Sequence, residues 1–217
     1  MSTERRSPLD RARVADTALR LLNEVGLDGL TLRAIAKELD VKAPALYWHF
    51  KDKQALLDEM ATQMYRRMVA GTELEPGDTW QERLLKINRG LRTALLDYRD
   101  GARVFSGSLF TGTDHAPALE ANLRLLLDAG MTLVQAVDAG RTAHAYTIGF
   151  VTEEQGMRPL PSDEKARADI TDRARRMSDH PLAAAAGELL FDDYDRQFEE
   201  GLAVVIAGIG ARYKVAS

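Results

Sequence analysis

The chain has 217 residues, of which 45% are hydrophobic and 29% charged, with no cysteine and a formal net charge of −4. This balance suits a folded globular protein and excludes a disordered chain, a disulfide scaffold, a thiolate nucleophile and a zinc ribbon. No run approaches the roughly eighteen uninterrupted apolar residues of a membrane span, and the opening MSTERRSPLD is polar where a signal peptide needs an apolar stretch, so a cytoplasmic protein without membrane contact is expected.

Apolar residues recur at three- and four-residue spacing almost throughout, and no stretch alternates with a β-branched bias, so the expected class is all-α. Ser7, Pro8 and Asp10 predict the first helix, as N-cap, first helical residue and first-turn acid. Val14, Ala18, Leu21, Leu22 and Val25 mark its buried face, and Gly26 ends it. Thr31 opens a second, short helix through Leu32, Ile35, Ala36 and Leu39 that stops at Asp40. A third runs from about Lys42 to His49, with Pro44 tolerated in its first turn. A fourth begins near Asp52 and carries Leu56, Leu57, Met60, Met64 and Met68 towards Gly71. Beyond the turn-rich GTELEPGDT, longer helices are expected over roughly 80–98, 101–112, 116–129 and 132–154. The charged, proline-punctuated stretch 155–181 reads as a connection with one short helix, and 182–212 as a last helix.

Charge is uneven along this series: residues 1–53 hold 10 Lys and Arg against 8 Asp and Glu, the remainder 19 against 25. The more basic part coincides with three short helices, two of them joined by a tight turn, the outline of a helix-turn-helix. Ala36 is small where the helices must approach. Asp40 stands at the turn, where glycine is usual and Asp is a tolerable substitute because it visits the left-handed region. At 100° per residue over 42–50, Leu46 and Phe50 share an inward face, while Pro44, Ala45, Tyr47 and Trp48 point away. Outward on the second helix of this motif means into a DNA major groove. There Pro44 and Ala45 can meet thymine methyls, Tyr47, His49 and Lys53 can reach phosphates, and Arg33 can reach a guanine edge or a phosphate, with Lys42 and Lys51 adding charge at the flanks.

The stretch LTLRAIAKELDVKAPALYWHFKDKQALLDEM (30–60) resembles the DNA-binding segment of TetR-family transcriptional repressors, most closely their tetracycline-repressor type. The likeness is strong over residues 10–64 and weaker in TWQERL, ALLDYRDGARV and the GF-to-EEQ stretch at 149–155. The resemblance implies a helix-turn-helix DNA-binding domain at 1–53 and a larger helical ligand-binding and dimerisation domain at 54–217, connected by a helix from about 52 to 70. It further implies a homodimer built on the last two long helices, a palindromic operator in double-stranded DNA, and a small-molecule effector that spreads the two heads and releases the operator.

The chain also departs from that pattern. Members that take their drug as a magnesium chelate use a histidine where this chain has Phe105, and their polar drug-gripping positions fall here on Val69, Ile87, Leu91 and Leu109. Phenylalanine offers no donor to a metal, so the expected effector is apolar or aromatic, with no metal and no cofactor. Candidate ligand residues are Met64, Met68, Ile87, Leu91, Phe105, Leu109, Phe110, Asn122, Met131, His144, Thr147 and Glu153. Methionine and phenylalanine would supply adaptable walls, and His144 with Asn122 orientation. In the recognition helix, Ala43 and Ala45 can touch methyl groups but cannot hydrogen-bond base edges, so the operator should differ from the tetracycline operator and lean on Arg33, Lys42 and DNA shape. No zincin, di-iron, nucleophile-elbow, P-loop or dinucleotide-binding pattern occurs, so no enzyme is expected. The rival reading is a small-molecule binding protein whose DNA-binding head no longer functions.

Overall fold

The computed structural model describes residues 9–157, 172–173, 175–191 and 193–215; Ser7, Pro8 and much of the 155–181 connection lie outside them. Helix α1 (Arg11–Gly29) is capped by Asp10, whose carboxylate accepts from the Arg13 N–H at 2.8 Å. The cap described is Asp10, expected from the sequence as a first-turn acid. Gly26 leaves the helical region at φ 70°, and a last turn follows at an angle. Val14, Ala15, Ala18, Leu19, Leu21 and Leu22 are buried, whereas Val25 stays exposed, beside the residue where the chain turns off.

Thr31 caps α2 (Leu32–Glu38), accepting from the Ala34 N–H. The chain then turns through Asp40 at φ 53°, closed by the Val41 N–H donating to the Ala36 carbonyl at 2.9 Å. Helix α3 (Ala43–Tyr47) follows with Pro44 in its first turn, where the missing N–H costs nothing. Ile35, Ala36, Leu46 and Phe50 pack the two short helices against α1. Asp52 caps α4 (Lys53–Gly71), accepting from the Ala55 N–H.

Helix α5 (Trp80–Leu96) opens with a reciprocal cap between Thr79 and Glu82. The short α6 (Gly101–Phe105) ends well before the expected residue 112, because Ser106 is extended and Gly107 adopts φ 76°. Helices α7 (Ala116–Asp128) and α8 (Leu133–Met157) form the next wall. The expected last helix is two: α9 (Pro181–Leu190) and α10 (Tyr194–Tyr213). Asp193, left-handed at φ 43°, breaks them apart and caps α10 by accepting from the Arg196 N–H.

One apolar core runs from Leu19, Ile35 and Leu46 through Met60 and Met64 of α4 to Leu95 and Val151, so α4 is common to both ends of the chain. A second core gathers Trp80, Leu126, Ala139, Phe198 and Leu202 between α5, α7, α8 and α10. Beside it, Arg92 forks onto Glu154, whose side chain is wholly buried, at 2.7 and 2.9 Å, and the guanidinium lies 5.0 Å over the Phe198 ring. Among the described residues the protein is all-α, and no helix is long and apolar enough to cross a membrane.

Candidate functional site

Two regions carry chemistry. The first is the outer face of the α2–α3 pair. Tyr47 and Trp48 are exposed, Trp48 to 90%, while the neighbouring Leu46 and Phe50 are completely buried. Leaving an indole in water gains nothing for folding, which marks this face for contact with something else. Arg33, Lys42 and Pro44 are also exposed, and Ala43, Ala45 and His49 half-buried. Lys53 is exposed but its ammonium donates to the Leu27 carbonyl at 3.0 Å, clipping the start of α4 to the end of α1. Arg11 holds the far side: its guanidinium sits 4.5 Å over the Phe50 ring, donates to the His49 carbonyl and pairs with Glu59 of α4 at 3.0 Å.

The second region is a cavity of about 380 Å³ enclosed by α4, α5, α7 and α8 and by the segment after α6. Its wall brings together Met68, Ile87, Leu91, Phe105, Phe110, Asn122 and His144. A chain of rings forms one side: Tyr65 and Phe110 at 4.7 Å between centroids, Phe110 and Phe105 at 5.6 Å, Phe105 and His144 at 6.1 Å. Crowding by these neighbours lowers the His144 pKa from the ordinary histidine value, while the residue keeps an exposed edge. Burial, helped by the charge of Asp114, pushes the Tyr65 phenol the other way, and it stays protonated. The side-chain oxygen of Asn122 is buried without a hydrogen-bond partner.

The remaining candidate ligand residues lie off this wall. Met64 is core, at the α4–α5 crossing. Leu109 is 76% exposed, because the chain has already left α6 at Ser106. Met131 is buried in the second core. Thr147 is fully buried one turn beyond His144, bonded to Asn88 at 2.8 Å. Glu153 is exposed and borders a shallower groove behind Phe105 and His144. Sequence reasoning missed Tyr65, Leu123, Val137, Gly140 and Arg141 on the cavity wall. The signal was present for the last three, which stand at helical spacing from His144.

Magnesium, implied by the tetracycline-repressor type, does not suit this donor set. The wall carries two phenylalanine rings, an imidazole and amides but no carboxylate, and among the described residues no three His, Asp or Glu side chains are grouped to hold a metal ion.

Residues 73–213 match the model of the Tetracyclin repressor-like, C-terminal domain, and residues 14–60 that of Bacterial regulatory proteins, tetR family. The chain belongs to the TetR family. It is similar to the tetracycline repressor protein class A from transposon 1721 of Escherichia coli, at 41% identity over 201 residues, covering 92% of this chain and 89% of that protein. Among TetR-family structures, a possible regulator from Streptomyces coelicolor A3(2) superposes with a TM-score of 0.78 at 36% identity, covering 93% of this chain and 99% of that one. A variant of TetR from Acinetobacter baumannii AYE in complex with minocycline gives 0.74 at 35% identity, covering 97% and 100%. Members of the TetR family are DNA-binding regulators and not enzymes.

A polar seam joins the two regions of this TetR-family chain. Glu59, 5% exposed on α4, receives Arg11 from the head, Gln63 from its own helix, and the Thr111 hydroxyl at 2.8 Å from the segment that follows Phe110. Burial pushes its carboxyl up, but the hydrogen bonds from Thr111, Arg11 and Gln63, with the charge of Arg11, outweigh this and hold its pKa below the usual carboxylate value. Arg66 of α4 in turn forks onto Asp114, three residues beyond Thr111.

Proposed function

We propose that the chain is a ligand-responsive repressor that binds a palindromic operator as a homodimer and lets go when an apolar or aromatic small molecule enters the α4–α8 cavity. The observation that carries this reading is the pairing of an aromatic, basic, outward face on α2–α3 with an apolar cavity roomy enough for a small molecule, linked by α4, which packs against α1 of the head and lines the cavity. In this reading residues 1–53 are the reading head and 54–217 the sensing and dimerising body. Arg33 and Lys42 face base edges or phosphates, Ala43, Pro44 and Ala45 meet thymine methyls, and Tyr47, Trp48, His49 and Lys53 line the backbone contacts. Two heads related by a two-fold axis would meet successive major grooves, so the operator repeats with opposite polarity. The relative with bound minocycline supports a sensing body; the absence of a carboxylate from this wall, and of a grouped metal-ligand set among the described residues, supports an effector held without a metal.

The test is selection of bound fragments from a random duplex library by the purified full-length chain, followed by a salt titration on the winning sequence. The expected outcome is a palindrome whose binding weakens steeply with salt, with a slope of about −0.9 per phosphate contact. Weak binding indifferent to sequence would instead favour a small-molecule binding protein with an idle head. Any compound that releases the recovered operator identifies the effector.

A further inference from the structure

Among the residues that line the cavity, Arg141 of α8 alone carries a full charge. Several other arginines are tied to carboxylates: Arg66, Arg67, Arg89, Arg92 and Arg103 each have one within 3.2 Å, whereas Arg33 on the outer face of the head, like Arg141, has none among the described residues. Among the described residues no carboxylate pairs with Arg141. A guanidinium is weakly hydrated, and its fork matches a carboxylate or sulfonate with two parallel hydrogen bonds. Arg141 is exposed as well as bordering the cavity, so an anion at its fork keeps contact with water and the attraction falls with salt. The rest of the wall is mostly apolar surface and ring edges from Phe105, Phe110, Leu91 and Leu123, with Asn88, Asn122 and His144 among its uncharged polar groups.

We propose that the effector is an aromatic acid, its ring system against the Phe105 and Phe110 side of the cavity and its anionic group on the guanidinium of Arg141. This rests on the cavity being the effector site and adds the polarity of the molecule that fills it. A neutral aromatic of the same size would bind the same walls less tightly.

Two fluorescent probes that differ by one anionic group, a sulfonate, test the assignment on the purified full-length chain: 1-anilinonaphthalene-8-sulfonate and its uncharged parent N-phenyl-1-naphthylamine. Both are expected to bind the wild type, and Val137→Trp, which fills the cavity from a half-exposed position, should abolish both while the circular dichroism is unchanged. Arg141→Gln should weaken the sulfonate by about tenfold and leave the neutral probe within about twofold, and about 0.5 M salt should erode the sulfonate's advantage. If Arg141→Gln shifts both probes equally, or neither, Arg141 is not an anion-recognising residue and the inference falls while the cavity reading stands. If neither probe binds, or if Val137→Trp leaves both bound, the cavity is not a ligand site and both fall together.

Discussion

Glu59 shows how a single buried carboxylate can fix the head of this molecule. Its oxygens take hydrogen bonds from Arg11, Thr111 and Gln63, so replacing it by glutamine removes a charge-assisted partner from Arg11 and unsettles the other donors. We expect Glu59→Gln to cost about 2 kcal/mol at pH 7, within the range for hydrogen bonds to a charged group and tempered by the partial exposure of Arg11. The folded pKa lies below the unfolded value, so this stabilisation is present above about pH 4.5 and is lost as pH falls through the lower folded value. Thermal melts of the two proteins should accordingly differ at pH 7 and converge on acidification; a gap that stays constant with pH would rule out the charge as its source. On the DNA side, Arg33 and Tyr47 make contrasting predictions. Arg33→Ala should weaken operator binding and flatten its sequence preference, whereas Tyr47→Ala should weaken binding to all sequences alike, a distinction that competition between operator and random duplex resolves.

At the scale of elements, the head was the most legible part of the sequence because its helices are short and each is bounded by a visible stop or cap. Thr31, Asp40, Pro44 and Asp52 occupy cap and turn positions that follow from local hydrogen bonding alone. The cavity was only partly legible. Phe105, Leu109 and Phe110 have helical spacing, yet the chain unwinds at Ser106 and Gly107, so Phe110 turns back to the rings while Leu109 faces solvent. Glycine permits that unwinding without dictating it, and the packing that decides it lies on α4 and α8, far away in sequence. Asp193 is a similar case: a left-handed residue splits what apolar spacing presents as one last helix. The placement of α6 itself depends on Gly101, where an added methyl would stand 2.1 Å from the Leu95 carbonyl oxygen. Backbone cannot yield as a flexible side chain does, so Gly101→Ala should destabilise the fold by about 1–3 kcal/mol and displace Phe105 from the cavity wall. Urea unfolding would register the first effect and loss of probe affinity the second.

For the molecule as a whole, the seam through Glu59 is one bonded connection between cavity and head, beside the Arg67–Asp16 pair next to Met68. Phe110 belongs to the cavity wall, Thr111 follows it and bonds to Glu59, and Glu59 holds Arg11, which donates to the backbone at His49. A ligand that shifts Phe110 therefore bears on the bond that Thr111 makes, and through it on the orientation of α3. Thr111→Val keeps the shape and deletes the hydroxyl, while Glu59 retains Arg11 and Gln63. Operator affinity without effector and effector affinity without operator should then stay within about threefold of wild type. The coupling between them, on the order of 1–3 kcal/mol in such systems, should shrink. Linkage makes this measurable from either end, since the operator must weaken the effector by the same factor as the effector weakens the operator. Titrating the effector identified by operator release, with and without operator, would therefore show a smaller ratio of dissociation constants for Thr111→Val. An unchanged ratio would mean that the head is moved by another route, for which the contacts of Asp100 and Arg103 with the end of α1 are the next to vary.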